Sequence, residues 1–207
     1  MTRPIRVAIV DDHPVVRDGT AALLVAEEGL EVVAVAGSLE EAATVLDAGA
    51  VDVVLLDIRL GAESGLRLLH ERAARGEGGP RPAVIVVTAY DYPQYVEAAL
   101  RLGAAGFVLK TAPFPELVDA IRRAAAGGLA YSVRPGPANR LTARELDVVR
   151  LLVEGRSNDE IATALGIGAK TVETHLGRLF ERFGCTSRTE LATRALREGW
   201  LDVPPGA

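Results

Sequence analysis

From residue 5 the chain alternates short, almost continuous apolar runs with longer segments in which apolar residues recur every three or four positions. The runs IRVAIV, EVVAVAG, VDVVLLD, PAVIVVTA and GFVLK predict five strands. Between and after them PVVRDGTAALLVAE, SLEEAATVLDAG, SGLRLLHERAAR, PQYVEAALRLGA and PFPELVDAIRRAAAG predict five helices, in strict alternation. Strands that are apolar on both faces and joined by helical crossovers belong to a buried parallel sheet, and right-handed crossovers wind it into an open α/β doubly wound fold. Ser38, with Glu41 three residues on, predicts a capping box, and Pro93, Pro113 and Pro115 fall at helix starts.

After Ala126 the pattern gives way to GGLAYSVRPGPANR, whose glycines and prolines predict a linker over residues 127–138. Strand signals then stop. Residues 141–199 read as four short helices, TARELDVVRLLVEG, SNDEIATALG, AKTVETHLGRLFERFG and SRTELATRALREG, the first three ending at Gly155, Gly166 and Gly184. The expected organisation is an α/β domain over residues 1–126, the linker, and an all-α domain over residues 139–207.

Composition changes this picture little. In 207 residues, 49% are hydrophobic and 25% charged, which excludes global disorder. No apolar run approaches the ~20 residues of a membrane span, and carboxylates arrive too early for a secretory signal. A cytoplasmic protein is expected. The single cysteine, Cys185, excludes an internal disulfide and argues against structural zinc. Charge divides unevenly: residues 1–126 hold 12 Lys and Arg against 18 Asp and Glu, while residues 127–207 hold 11 against 10. The second part approaches a polyanion more easily than the first.

In a doubly wound sheet, ligands sit beyond the carboxyl ends of the strands, where the strand order reverses. Asp11 and Asp12 follow the first strand, Asp57 the third, Thr88 the fourth and Lys110 the fifth. Three carboxylates with a lysine and a hydroxyl suit a hard divalent cation such as Mg2+ and the handling of a phosphoryl group, with Asp57 as nucleophile. Singly, each of these residues reads equally as a turn former or cap; their conjunction is what points to chemistry. His13 reads as a solvated loop residue. A dinucleotide or P-loop site would need a glycine-rich turn where this chain has DDHPVVRDG, and an aspartate-based phosphatase would want a second acid where it has Arg59.

Asp11-Asp12, Asp57, Thr88 and the GFVLK run ending in Lys110 resemble the receiver domain of bacterial two-component response regulators, over residues 5–126. The resemblance implies a flavodoxin-like fold and phosphoryl transfer from a sensor histidine kinase to Asp57. It also implies Mg2+ held by Asp11, Asp12, Asp57 and the backbone carbonyl of Arg59, and a switch pair of Thr88 and Phe107. The chain departs from the family in carrying Gly61 where proline is common, and Arg59 and Tyr90 at the two positions flanking an attacking water. These bulky groups are expected to slow loss of the phosphoryl group. Tyr90, Tyr92 and Tyr95 cluster after the fourth strand, either as a partner surface or as local packing.

SNDEIATALGIGAKTVETHLGRLFERFG has the helix, glycine turn and helix of a helix-turn-helix, with Ile161, Ala162, Leu165, Val172, Leu176 and Leu179 facing a core. Amphipathicity alone favours an ordinary helical bundle. The wider frame from LTARELDVVRLL to CTSRTELA resembles the LuxR-type (NarL/FixJ-like) DNA-binding domain across residues 139–200. By that resemblance Lys170, Thr171, Thr174, His175, Arg178 and Arg188 are candidate contacts to double-stranded promoter DNA, and residues 187–198 a dimer element. Glu173 and Gly177 stand where relatives carry basic residues. The combined expectation is a Mg2+-dependent phosphoreceiver driving a DNA reader that is a homodimer when active; it is a transcription factor and not an enzyme, with no membrane partner.

Overall fold

The computed structural model describes residues 3–47, 49–75, 82–132 and 141–204. The chain forms two units, Met1–Ala138 and Asn139–Gly206.

In the first unit the apolar runs become β1 (Ile5–Val10), β2 (Leu30–Ala36), β3 (Val53–Leu56), β6 (Ala83–Thr88) and β7 (Gly106–Leu109). Two further short strands, β4 (Arg59–Leu60) and β5 (Glu63–Ser64), make a hairpin after β3, and β8 (Ala130–Tyr131) follows the last helix. The helices are α1 (Pro14–Val25), α2 (Leu39–Asp47), α3 (Gly65–Ala74), α4 (Pro93–Arg101) and α5 (Phe114–Ala125). The main sheet is parallel throughout, in the order β2-β1-β3-β6-β7-β8. Val7, Ile9, Val53, Leu55 and Ile85 pack on one face against Leu24 of α1 and Leu117, Val118 and Ile121 of α5. The alternate residues Ala8, Val54, Leu56 and Val86 are equally buried and face the opposite layer of α2, α3 and α4. Burial on both faces is the reason these strands read as unbroken apolar runs.

Among the described residues the sheet therefore has six strands where five were expected. Two residues carry no periodicity, so β8 left no pattern, and it lies inside the stretch expected to be linker; residues 133–138 of that stretch fall outside the described residues. What seats β8 is Gly106, where a Cβ would lie 2.5 Å from the carbonyl oxygen of Ala130. The Tyr131 hydroxyl donates to the carbonyl of Ala104 at 2.8 Å, and burial pushes its pKa up to about 12. Ser132 donates twice to the carbonyl of Phe107, from its amide at 2.9 Å and from its hydroxyl at 3.1 Å.

Beneath the sheet, at the amino ends of the strands, buried Asp52 accepts from Arg3 Nη2 at 2.7 Å, from the Arg6 amide at 3.0 Å and from Arg6 Nε at 3.3 Å. Burial works against its charge, yet these donors hold the carboxyl well below its ordinary 3.8, at about 2.

The second unit is α6 (Ala143–Val153), α7 (Asn158–Leu165), α8 (Ala169–Phe183) and α9 (Arg188–Arg197). Thr142 and Ser157 each form a full capping box, with Glu145 and Glu160. At Ser38 the box is shared differently: Glu41 N donates to Ser38 Oγ at 3.2 Å, but the Glu41 carboxylate reaches past to the amide of Gly37 at 2.6 Å. Gly166 caps α7 at φ 63°, in the left-handed region that a tight inter-helix turn requires. The core joins Val149 and Leu152 of α6, Ile161 of α7, Val172, Leu176 and Leu179 of α8, and Leu191 of α9, with the Trp200 ring tilted against Phe183 at 4.2 Å between centroids. Glu145 is buried too, tied to Arg182 of α8 at 3.2 Å, and together with the Thr142 hydrogen bonds this outweighs desolvation and lowers its pKa. Among the described residues no helix is long and apolar enough to cross a membrane.

Candidate functional site

Parallel pairing puts the ends of β1, β3 and β6 level, through the partners Val10 with Leu56 and Leu56 with Val86. The residues that follow leave the ladder together on one edge of the sheet, where the order reverses between β1 and β3. Asp11 and Asp57 are each about 5% exposed. Lys110, following β7, spans them: its Nζ is 2.6 Å from Asp57 Oδ2 and 2.7 Å from Asp11 Oδ2.

Burial is the largest influence on Asp57 and raises its carboxyl above the ordinary 3.8, with Asp11 adding to the rise and Lys110 opposing it. Burial pulls the Lys110 ammonium down, but its bonds to Asp11 and Asp57 win and hold it above its usual value. Asp12 stands outside this couple. Its Oδ2 accepts from the amide of Gly61 at 2.8 Å, a donor that proline at this position would lack. Its Oδ1 is buried and accepts no hydrogen bond, although His13 Nδ1 lies 2.8 Å away. His13 is well exposed, as a loop residue should be, yet it belongs to the acidic cluster: its amide donates to Asp11 Oδ1 at 2.9 Å.

Asp11, Asp12, His13 and Asp57 each bring a ligand atom within 4.8 Å of the others. Three carboxylates around one ammonium leave two negative charges in a confined space, and Asp12 offers an oxygen with no donor. Oxygen donors, excess negative charge and an unsatisfied carboxylate fit a hard divalent cation.

Thr88 is fully buried at the end of β6, and its Oγ1 accepts from the amide of Tyr90 at 3.4 Å. Phe107, on β7 opposite Val86, is likewise fully buried. The Arg59 amide lies 3.4 Å from Asp57 Oδ1, and the Arg59 guanidinium stacks 4.4 Å above the Tyr90 ring while donating to its hydroxyl at 3.2 Å. The two residues placed second after Asp57 and second after Thr88 thus close on one another beside Asp57. Tyr90, Tyr92 and Tyr95 pack mutually, with centroids 5.5 to 6.5 Å apart and Tyr95 wholly buried. Gly65, at the head of α3, has no room for a side chain because a Cβ would lie 2.0 Å from the carbonyl oxygen of Asp57. Neither the Gly61 amide nor the Gly65 contact was foreseen from sequence; the glycines of DIRLGAESG were their only trace.

On α8 the exposed face carries Lys170, Thr171, Glu173, Thr174, Gly177 and Arg178, with His175 half-buried. Lys170 Nζ pairs with Glu173 Oε2 at 2.7 Å, and the Thr174 hydroxyl donates to the Lys170 carbonyl at 2.9 Å. Arg188, at the start of α9, donates to Asn158 Oδ1 at 3.0 Å and to the carbonyl of Arg156, tying α9 to the start of α7.

Comparison with known proteins covers both units. The response regulator receiver domain family matches residues 7–122, and the luxR family of bacterial regulatory proteins matches residues 139–195. Transcriptional regulatory protein UhpA of Salmonella typhimurium is 39% identical over 202 residues, covering 95% of this chain and 100% of that protein. The response regulator ChrA of a heme-sensing two-component system is similar in structure, with a TM-score of 0.53 at 32% identity over 96% of this chain and 99% of that one. RcsB, solved as two dimers bound to two parallel DNAs, shares the fold at a TM-score of 0.65 and 24% identity, over 95% of this chain and 99% of that one.

Proposed function

The chain belongs to the response regulators that join a receiver domain to a LuxR-family DNA-binding domain, and from that membership we propose that Asp57 accepts a phosphoryl group from a sensor histidine kinase and so controls promoter binding by α8. The observation that carries the reading is the meeting of Asp11, Asp57 and Lys110 at the ends of three strands, with Asp12 beside them. Residues 1–126 are the phosphoreceiver, 139–207 the DNA reader, and the stretch between them the connection, its start anchored by β8.

Asp57 attacks the phosphorus of the kinase phosphohistidine as the carboxylate, an O–P bond forming as the N–P bond breaks and the histidine leaves, and Lys110, already on its Oδ2, stays to balance the charge that the phosphoryl oxygens bring. Asp11, Asp12, Asp57 and the carbonyl of Arg59 hold Mg2+, which supplies Lewis-acid stabilisation of the transferring group when bound. Thr88 and Phe107 are the switch: the Thr88 hydroxyl turns to the new phosphoryl oxygens and the Phe107 ring follows. A group that touches only one of two conformations shifts the balance between them by that difference alone. The Arg59–Tyr90 stack shields the acceptor from in-line water, so the phosphoryl group persists for minutes or longer; a lifetime of seconds in the purified protein refutes that protection.

An apolar cleft lined by Val16, Leu23, Phe114 and Leu117 runs up to Asp57 and Lys110, a landing surface for the kinase that delivers the phosphoryl group. Lys170, Thr171, Thr174, His175, Arg178 and Arg188 meet the DNA, Arg188 from the start of α9 where Asn158 holds it, and α9, with exposed Leu196, is the dimer element. The protein works in the cytoplasm, and its only chemistry is its own phosphorylation and dephosphorylation.

Mass spectrometry of the intact chain with acetyl phosphate and Mg2+ tests this. One phosphoryl adduct is expected in the wild type and none in Asp57→Ala or in EDTA. An Asp57→Ala chain that is still phosphorylated, or a wild type that never is, overturns it.

A further inference from the structure

The exposed residues of α8 carry little net charge: Lys170, Arg178 and Arg182 stand against Glu173 and Glu181, and Arg182 is already paired with Glu145 at 3.2 Å. A helix that meets DNA through such a face gains little from non-specific attraction to phosphates, so its acid has to be accounted for. A carboxylate only accepts hydrogen bonds, and against phosphate it repels. The donors that bases offer in the major groove are the amino groups of cytosine N4 and adenine N6. Adenine sets an N7 lone pair beside its amino group, which opposes a carboxylate, whereas cytosine brings no acceptor of its own to the groove, and the guanine O6 next to its amino group can be met by a cation.

Lys170 sits one turn before Glu173 and holds it at 2.7 Å, so donor and acceptor are presented side by side, with Lys170 89% exposed and Glu173 49%. In a G·C pair the guanine O6 and N7 acceptors lie beside the cytosine amino donor, the complement of that couple. One turn further on, Gly177 is an interior helical glycine whose Cβ would meet nothing within 4 Å, so neither packing nor a turn within the chain calls for it. Its effect is to leave the helix surface next to Glu173 clear for a close-lying base edge.

Resting on the DNA-reading role given above, we infer that Lys170 and Glu173 act as one element that reads a single G·C pair, Lys170 on guanine and Glu173 on the cytosine amino group. Glu173 is then a specificity-determining residue that lowers affinity for random DNA while selecting one base pair of the site.

The test is selection from randomised duplexes by the full chain with acetyl phosphate and Mg2+, for wild type, Glu173→Ala and Glu173→Gln, followed by titrations of the enriched site. The wild type is expected to enrich G·C at one position and to lose tenfold or more in affinity when that pair becomes A·T. Glu173→Ala should lose that preference and bind random duplex several-fold more tightly. Glu173→Gln should move the preference to adenine, which an amide reads through N6 and N7 together. If Glu173→Ala keeps the wild-type preference at every position, the inference fails while the DNA-reading role stands. If the wild type enriches no sequence, both fall.

Discussion

Lys110 in the first unit and Lys170 in the second form ion pairs of nearly the same length, 2.6 Å to Asp57 and 2.7 Å to Glu173, but the side chains are 15% and 5% exposed in one pair and 89% and 49% in the other. Water and salt screen the exposed pair, which is readily exchanged for another partner. The buried pair stands in place of water, so removing one member strands the other charge. One pair is therefore fixed within the folded chain, and the other is ready to change partners.

The sharpest way to break this contrast is to delete each lysine. Lys110→Ala leaves Asp11 and Asp57 facing each other and is expected to cost the first unit about 3 kcal/mol or more at neutral pH, measured by urea unfolding in EDTA. Lys170→Ala should leave the urea midpoint of the second unit unchanged. Equal losses in the two variants contradict the comparison.

Asp52 is a buried carboxylate outside the acceptor site, and Asp52→Asn should cost about 2 kcal/mol at pH 7. Its folded pKa is depressed, so the stabilisation is present above the unfolded value near 3.8 and disappears as pH falls through about 2. Unfolding curves of the variant and wild type should converge over that interval, and a constant gap rejects the ion pairs with Arg3 and Arg6 as the cause. In the second unit, Thr142→Ala removes the Glu145 capping box and should cost about 1 kcal/mol, read as a lower urea midpoint for that unit alone. The smallest effect is a gain: Gly177→Ala should stabilise the second unit by about 0.5 to 1 kcal/mol, since nothing lies within 4 Å of the added methyl.

Asp11, Asp12, Asp57, Thr88 and Lys110 were readable because a parallel sheet delivers every strand's carboxyl end to the same edge, so order along the chain fixes proximity in space. The reading helix was readable for a similar reason, its apolar stripe fixing which side is left outward. What escaped depends on partners far apart in sequence and has no local pattern. The bonds of Arg188 to Asn158 and Arg156 reach back about 30 residues, and Glu145 meets Arg182 across 37 residues. Arg59 and Tyr90 were paired in sequence as flanks of one position, but the direct contact of their side chains across 31 residues comes only from the fold.

Ser132 carries its own consequence. Its amide proton is committed to the carbonyl of Phe107, so its exchange with deuterium keeps time with departures of that strand from its neighbour. A native backbone position at the exit from the receiver thus serves as an isotopic clock for events in the core, with no dye attached and no side chain replaced.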